Sequence, residues 1–406
     1  MKKISIYVGF FVCCMVTHIN AFDCMYYIEK HNLAIPRYGF GAALDHFAKQ
    51  GSREGLQTSE TQIDNTNFDW EYYVEHNGLI EIKSEDVAYD HYQRYGKWQK
   101  LAYCKQFDIV ILLHLYDLDI MDEMIGRINY FIKNNPLNTY RIKINVPVDA
   151  RILKEISFYS GATGIQAADA ASFLRDKAAT LGAEHKELIV SPDYSPILYN
   201  MYHYLQKAFL LDQAKIQVVF SENRGMDIGG FFVLCDELKK EDKPFDFVVK
   251  VHTKKGPSGP LSPFGEQFGQ TWRLCLLSFL NIKINKVLRT YDSIYSCKIN
   301  IMDDPAREDR LFIEKNRELF DLLCLSKHNQ YDFCGGTMFI ASHDFINCIQ
   351  KWDKARLYFL LEKGRTVIGY EHVFERLFGY VNASIGQKAL CLDFMPRGSR
   401  VKHDIT

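Results

Sequence analysis

The stretch Phe107-Asp108-Ile109-Val110-Ile111-Leu112-Leu113 decides the fold class. After Asp108 its apolar residues are continuous rather than alternating. That is the pattern of a strand covered on both faces, as in parallel sheets flanked by helices. Downstream, Asp119 to Phe131 has helical spacing, with Ile120, Met124, Ile128 and Phe131 on one side. Tyr140 to Val146 reads as a second strand, and Ala167 to Leu181 and Ser195 to Leu211 read as helices. Ile216 to Phe220 is a third strand, Phe231 to Lys239 a helix, and Phe245 to Val251 another apolar strand. This alternation predicts an α/β domain with a mostly parallel sheet flanked by helices. Ligands in such sheets bind beyond the carboxyl ends of the strands, so the residues after each apolar run are the candidates for chemistry.

After the strand ending at Phe220 comes Ser221-Glu222-Asn223-Arg224-Gly225-Met226-Asp227-Ile228-Gly229-Gly230-Phe231. A Gly-containing loop that opens a helix exposes N–H groups to a phosphate, and Arg224 adds a cationic fork. Glu222 or Asp227 has the chemistry to hold sugar or ribose hydroxyls. A plain strand-to-helix turn, with Arg224 paired to a neighbouring acid, fits the segment equally. After the strand ending at Val251 comes His252-Thr253-Lys254-Lys255-Gly256, with Lys250 inside the strand. Three lysines and a histidine at a binding edge suit an anionic group such as a diphosphate; a solvated basic loop is the alternative. Gly269 to Leu280, with Trp272 and Arg273, reads as an amphipathic helix.

Phe333-Cys334-Gly335-Gly336-Thr337-Met338-Phe339-Ile340-Ala341 sets two glycines ahead of an apolar strand, where a substrate can approach the backbone. Gly369-Tyr370-Glu371-His372-Val373-Phe374-Glu375-Arg376 reads as a helix start with Glu371 and Glu375 on one face. A carboxylate beside a Gly-rich strand is a candidate general base; an exposed helix with local ion pairs is the alternative.

Taken in order, these segments over residues 106 to 400 resemble the rhamnan synthesis F family of polysaccharide glycosyltransferases. The resemblance implies transfer of a sugar from a nucleotide-sugar donor to a glycan or polysaccharide acceptor. The N-R-G, G-G and final Glu-containing segments also look like a distant version of the GT-A nucleotide-sugar transferase pattern. Asn223, Arg224, Gly225 and Asp227 would then meet the donor, and Gly335 and Gly336 the acceptor. Glu371, with Glu375 as second choice, would serve as base. Arg224, Lys250, His252, Lys254 and Lys255 would face the diphosphate. No cofactor is firmly implied. The D-x-D that would hold a divalent metal is replaced by Lys250-Val251-His252-Thr253-Lys254, and fixed cations can do a metal's electrostatic work. An arrangement of two Rossmann-like halves, and a non-catalytic glycan-binding or secreted interaction protein, remain as alternatives.

Upstream of the α/β pattern, Lys2 and Lys3 precede an apolar run from Ile4 to Val16, and residues 1–21 read as a secretory signal peptide ending at Ala21. A short membrane anchor or a buried element of a cytoplasmic protein are the other readings. Residues 22–104 hold a repeat: Phe22-Asp23-Cys24-Met25-Tyr26-Tyr27 matches Phe68-Asp69-Trp70-Glu71-Tyr72-Tyr73, His46 matches His91, and Gly51 matches Gly96. The copies, 22–57 and 68–104, each predict a helix, a loop and a second helix, with the Gly as a left-handed cap. His46 and His91 are packing and capping residues or, less in keeping with their aromatic neighbours, ligands. The copies resemble short D-W-x-x-Y and A-x-x-H-Y-x-x-x-G repeats that precede glycosyltransferase domains in some bacterial and viral proteins. The resemblance then implies a glycosyltransferase domain over 105–406.

Lys plus Arg number 49 and Asp plus Glu 50, so no global basic charge argues for nucleic acid. None of the eleven cysteines forms a C-x-x-C pair, which leaves zinc and dithiol readings weak. A signal peptide would deliver the chain to a secretory lumen or outside the cell, whereas nucleotide sugars are found in cytoplasm and Golgi-like lumens. A membrane-anchored or cytoplasmic location is the alternative.

Overall fold

In the computed structural model, strand β1 (Asp108–His114) is buried along its whole length except at Asp108, as its unbroken apolar run requires. The structure describes residues 68–148, 196–253, 273, 276–296, 298–300, 332–352, 361 and 370–392. The signal segment, the first repeat copy with His46 and the predicted helix at 167–181 lie outside them. So does most of the predicted helix at 269–280.

A seven-stranded sheet forms around β1 in the order β3-β2-β1-β4-β8-β5-β9. β2 (Thr139–Val148) and β4 (Phe247–His252) flank β1 in parallel, and β3 (Ile216–Glu222) extends the sheet beyond β2. β5 (Ser293–Tyr295) and β9 (Ala389–Cys391) run parallel to each other. Between β4 and β5 lies β8 (Phe339–Ser342), antiparallel to both. The sheet is therefore mixed, with one reversed strand. A small separate ladder pairs β6 (Lys298–Asn300) with β7 (Asp332–Cys334).

The two faces of the sheet carry two cores. Ile109, Ile111 and Leu113 of β1 point to one side, where they meet α3 (Met121–Asn134) and α4 (Pro196–Ala208). Val110 and Leu112 point to the other, packing with α5 (Met226–Glu241), α7 (His343–Gln350) and α8 (Tyr370–Ser384). α3 buries Met121, Met124, Ile125, Ile128, Phe131 and Ile132, the stripe of a helix with one wet face. Fully burying each such side chain is worth about 2 kcal/mol.

α5 begins at Met226, five residues before the expected Phe231. Gly229 and Gly230 read as loop glycines, yet both lie inside the helix because the space demands it. A Cβ on Gly229 would meet the Arg224 carbonyl oxygen at 1.8 Å, and one on Gly230 would meet His114 Nδ1 at 2.1 Å. Two left-handed residues start the helix, Gly225 at φ 69° and Met226 at φ 53°.

The second repeat copy forms α1 (Trp70–His76) and α2 (Glu85–His91), with helical chain continuing to Gln99. Gly96 is not the left-handed cap. Its φ is −58°, and Lys100 at φ 56° ends the helix instead. Gly96 is needed for room: the Tyr73 hydroxyl lies 2.4 Å from where its Cβ would be. That hydroxyl bonds His91 Nδ1 at 2.7 Å, so His91 packs and orients an aromatic cluster. Asp69 caps α1 through Tyr72 N (3.0 Å) and takes Arg289 Nη1 at 2.6 Å, while Arg289 Nη2 reaches Glu71 at 2.9 Å. Arg289 belongs to α6 (Ile284–Thr290), so this module is pinned to the α/β unit just before β5. Among the described residues, no helix is long and apolar enough to cross a membrane.

Candidate functional site

In sheet order, β2 and β3 lie on one side of β1 and β4 on the other. The strand order therefore changes direction between β1 and β4, and such a switch point is where open α/β sheets bind ligands. His114 and His252, the last residues of β1 and β4, are register partners. Side chains alternate along a strand, so Lys250 and His252 share the face that carries α5. Three further segments converge on them: the first turn of α5, the turn between β7 and β8, and the second turn of α8.

Asp227, from the first turn of α5, is the centre of the cluster. Its Oδ2 accepts from Lys250 Nζ at 2.7 Å and from the Thr337 hydroxyl, with His252 Nε2 at 3.7 Å. Among the described residues nothing donates a hydrogen bond to its Oδ1, and the side chain keeps 16% of its surface exposed. Burial alone would raise this carboxyl, but His252, Lys250 and Thr337 outweigh it and hold Asp227 well below the usual carboxylate range.

Lys250 is buried, and its ammonium donates to Asp227, to the Thr337 carbonyl at 2.8 Å and to Thr337 Oγ1 at 3.1 Å. It also lies 5.4 Å from the Phe231 ring centroid, a cation–π contact. An ammonium has three donors, so this lysine is committed to the fold rather than offered to an incoming anion. His252 is buried too, and its Nε2 stands 2.9 Å from the Gly336 carbonyl. A carbonyl only accepts, so Nε2 carries a hydrogen.

The turn that meets these groups is strained. Gly336 has φ 81° and Thr337 φ 55°, the left-handed region that a β-branched residue rarely adopts. A Cβ at Gly336 would also strike the Leu276 side chain at 2.6 Å, so glycine is required there twice over. The Gly336 N–H donates to Glu375 Oε1 at 2.5 Å, and Glu375 Oε2 is 4.0 Å from Arg376 Nη1.

On the neighbouring loop, Arg224 Nε reaches Glu222 Oε2 at 3.3 Å and its Nη1 reaches the Leu361 carbonyl at 3.3 Å. The pairing to a neighbouring acid is thus the local geometry of Arg224. Asn223 is buried beside it.

Of the expected site residues, Asp227, Lys250, His252, Gly336 and Glu375 come together, with Gly335 in the adjoining turn. Asn223, Arg224 and Gly225 stand at the entry to α5. Glu371 opens α8 one turn before Glu375; its side chain lies outside the described residues, as do Lys254 and Lys255. Among the described residues, no group of three or more His, Cys, Asp or Glu gathers in metal-binding fashion.

Thr337, His114, Asn145 and Thr253 were not anticipated as site residues. Thr337 directly follows the glycine pair, and nothing local in that motif marks its hydroxyl as an Asp227 partner. His114 directly follows the apolar run of β1 and would have been found by reading past its end. Its Nδ1 bonds Asn145 Oδ1 at 2.8 Å, and Asn145 Nδ2 donates to Ser221 Oγ at 2.8 Å, a polar line across β1, β2 and β3. Burial pushes the His114 imidazole down to about 4, against the pull of Asp227 and the bond to Asn145. Thr253 Oγ1 accepts from the N–H groups of Tyr116 (2.7 Å) and Asp117 (2.8 Å), tying the ends of β1 and β4 together just ahead of Lys254.

No protein-family model matches the chain, and a search of curated proteins finds no match.

Proposed function

We propose that the chain is a glycosyltransferase of the rhamnan-synthesis type, moving a sugar from a nucleotide-sugar donor to a glycan or polysaccharide acceptor. The observation that carries this reading is the state of Asp227 at the switch point. One carboxylate oxygen is pinned by a lysine and a hydroxyl, and the other takes no hydrogen bond from the described residues. An ionised acceptor fixed at a sheet's carboxyl edge is preorganised for a ribose or sugar hydroxyl.

In this reading the 223–225 loop meets the nucleotide. His252 together with Lys254 and Lys255 faces the diphosphate, and Arg224 adds its guanidinium from the side. Gly335 and Gly336 line the acceptor. Glu375 or Glu371 takes the proton of the acceptor hydroxyl. The acceptor oxygen then bonds to the anomeric carbon, and the nucleoside diphosphate leaves with the electron pair of the broken bond. Lys250 is assigned a different part from the diphosphate contact expected of it: it holds Asp227 and Thr337 in place. One main seven-stranded sheet with a reversed strand favours a GT-A-like arrangement over two Rossmann-like halves. The signal-like N-terminus makes a secretory lumen or membrane surface the proposed location.

The test is nucleotide release by the purified full chain with UDP-, GDP- and dTDP-sugars, with and without chelator. Release from one donor, abolished by Glu375→Gln or Glu371→Gln, supports a transferase and identifies the base. Release that survives chelation supports fixed cations in place of a metal. No release from any donor by folded protein sinks the reading in favour of a non-catalytic glycan-binding or interaction protein.

A further inference from the structure

The strained turn has no reason of its own to exist. Thr337 sits in a left-handed conformation, next to a glycine that is also left-handed. A β-branched residue persists there only when its surroundings over-determine it. Those surroundings are identifiable. The Gly336 carbonyl is held by His252 Nε2 at 2.9 Å and the Thr337 carbonyl by Lys250 Nζ at 2.8 Å. The Thr337 hydroxyl donates to Asp227. With two successive carbonyls and the hydroxyl all held from the sheet side and Gly336 set at φ 81°, the Gly336 N–H meets Glu375 Oε1 at 2.5 Å.

We propose that Thr337 is a positioning residue. Its locked left-handed turn aims the Gly336 N–H at Glu375 and so sets where that carboxylate stands. The proposal rests on the reading of Glu375 as the acceptor-side base, and it deepens that reading: Asp227 and Lys250 act on the base through Thr337, without touching it. The buried ion pair thus connects the donor side of the site to its acceptor side. Thr337 does not contact the reacting atoms; it acts on a group that does.

The experiment measures amide hydrogen exchange at Gly336 in the full chain, with the amides of β4 as an internal control for folding. Three variants are compared with the wild type. Thr337→Val removes the hydroxyl and keeps the shape, Thr337→Ser keeps the hydroxyl, and Glu375→Ala removes the acceptor. Loss of the hydrogen bond should speed Gly336 exchange by about tenfold or more in Thr337→Val and Glu375→Ala, with β4 still protected. Thr337→Ser should restore slow exchange. In nucleotide release, Thr337→Val should lower kcat and leave KM for the donor nearly unchanged.

Gly336 exchange at the wild-type rate in a folded Thr337→Val protein would overturn the proposal. Should that variant fail to fold, wild-type exchange in Glu375→Ala overturns it equally. The glycosyltransferase reading fails separately, through absence of nucleotide release by the wild type.

Discussion

Replacing Lys250 by methionine tests whether this lysine is a structural keystone or a ligand contact. Its ammonium is almost fully buried and makes three hydrogen bonds, one to a carboxylate at 2.7 Å. Methionine matches the stem and removes all three donors. Asp227 Oδ2 keeps only the Thr337 hydroxyl, with His252 at 3.7 Å, and the Thr337 carbonyl loses Lys250. Breaking a buried pair by removing one partner costs about 3–5 kcal/mol. Because Asp227 retains 16% exposure, the lower end, about 3 kcal/mol, applies here. Adding Asp227→Asn removes the stranded charge, so the double variant should recover about 1–3 kcal/mol. Urea unfolding followed by fluorescence and circular dichroism measures this, and coincident transitions establish a single event. With a slope of about 3 kcal/mol per molar urea, the single variant should lose about 1 M in midpoint. A loss below about 1 kcal/mol, or no recovery in the double variant, would refute the reasoning.

Lys254→Ala should show the opposite pattern, a large fall in nucleotide release at an unchanged urea midpoint; equal losses of both would make that lysine structural. The His114 imidazole is neutral in the fold, with its value down at about 4 against about 6.5 unfolded. The unfolded chain therefore binds the extra proton, and stability that is full above pH 6.5 falls by on the order of 3 kcal/mol as pH drops to about 4. His114→Gln should flatten this slope in pH-dependent melting. Asp227 adds a loss of the same sign at lower pH, because its depressed carboxyl lends stability only above the ordinary carboxylate range. Gly230→Ala favours a helix by about 1 kcal/mol on propensity, yet its Cβ would lie 2.1 Å from His114 Nδ1, so thermal melting should show a net loss of about 1–3 kcal/mol. Asp69→Ala removes the cap of α1 and an Arg289 partner together and should cost about 2–3 kcal/mol, whereas Glu71→Ala, at an exposed rim, should cost under about 1 kcal/mol.

Reading the strands from their apolar runs worked because burial on both faces leaves no polar position to disguise the pattern. Tyr140 to Val146 and Phe245 to Val251 each fall within two residues of the observed β2 and β4. The start of α5 was misplaced because a glycine pair signals a break locally, while Gly229 and Gly230 answer to atoms of Arg224 and of His114. The second of these is far away in sequence. Gly96 failed in the same way: its partner is the Tyr73 hydroxyl, not its own backbone dihedral.

The site shows where local signals end. That Asp227, Lys250, His252, Gly336 and Glu375 carry the candidate chemistry was legible from their positions after strands and before helices. That Lys250 would be consumed by Asp227 and Thr337 was not, since those groups lie 23 and 87 residues away and nothing in a linear pattern records their pairing. By itself the sequence determined the α/β class, the succession of strands and helices around β1 to β4 and the strand ends where the candidate residues lie, because these follow from the period of burial along one chain. Only the tertiary structure decided the reversed strand between β4 and β5, the strained Gly336-Thr337 turn and the commitment of Lys250 to Asp227 and Thr337, because each depends on which distant groups meet when the sheet closes.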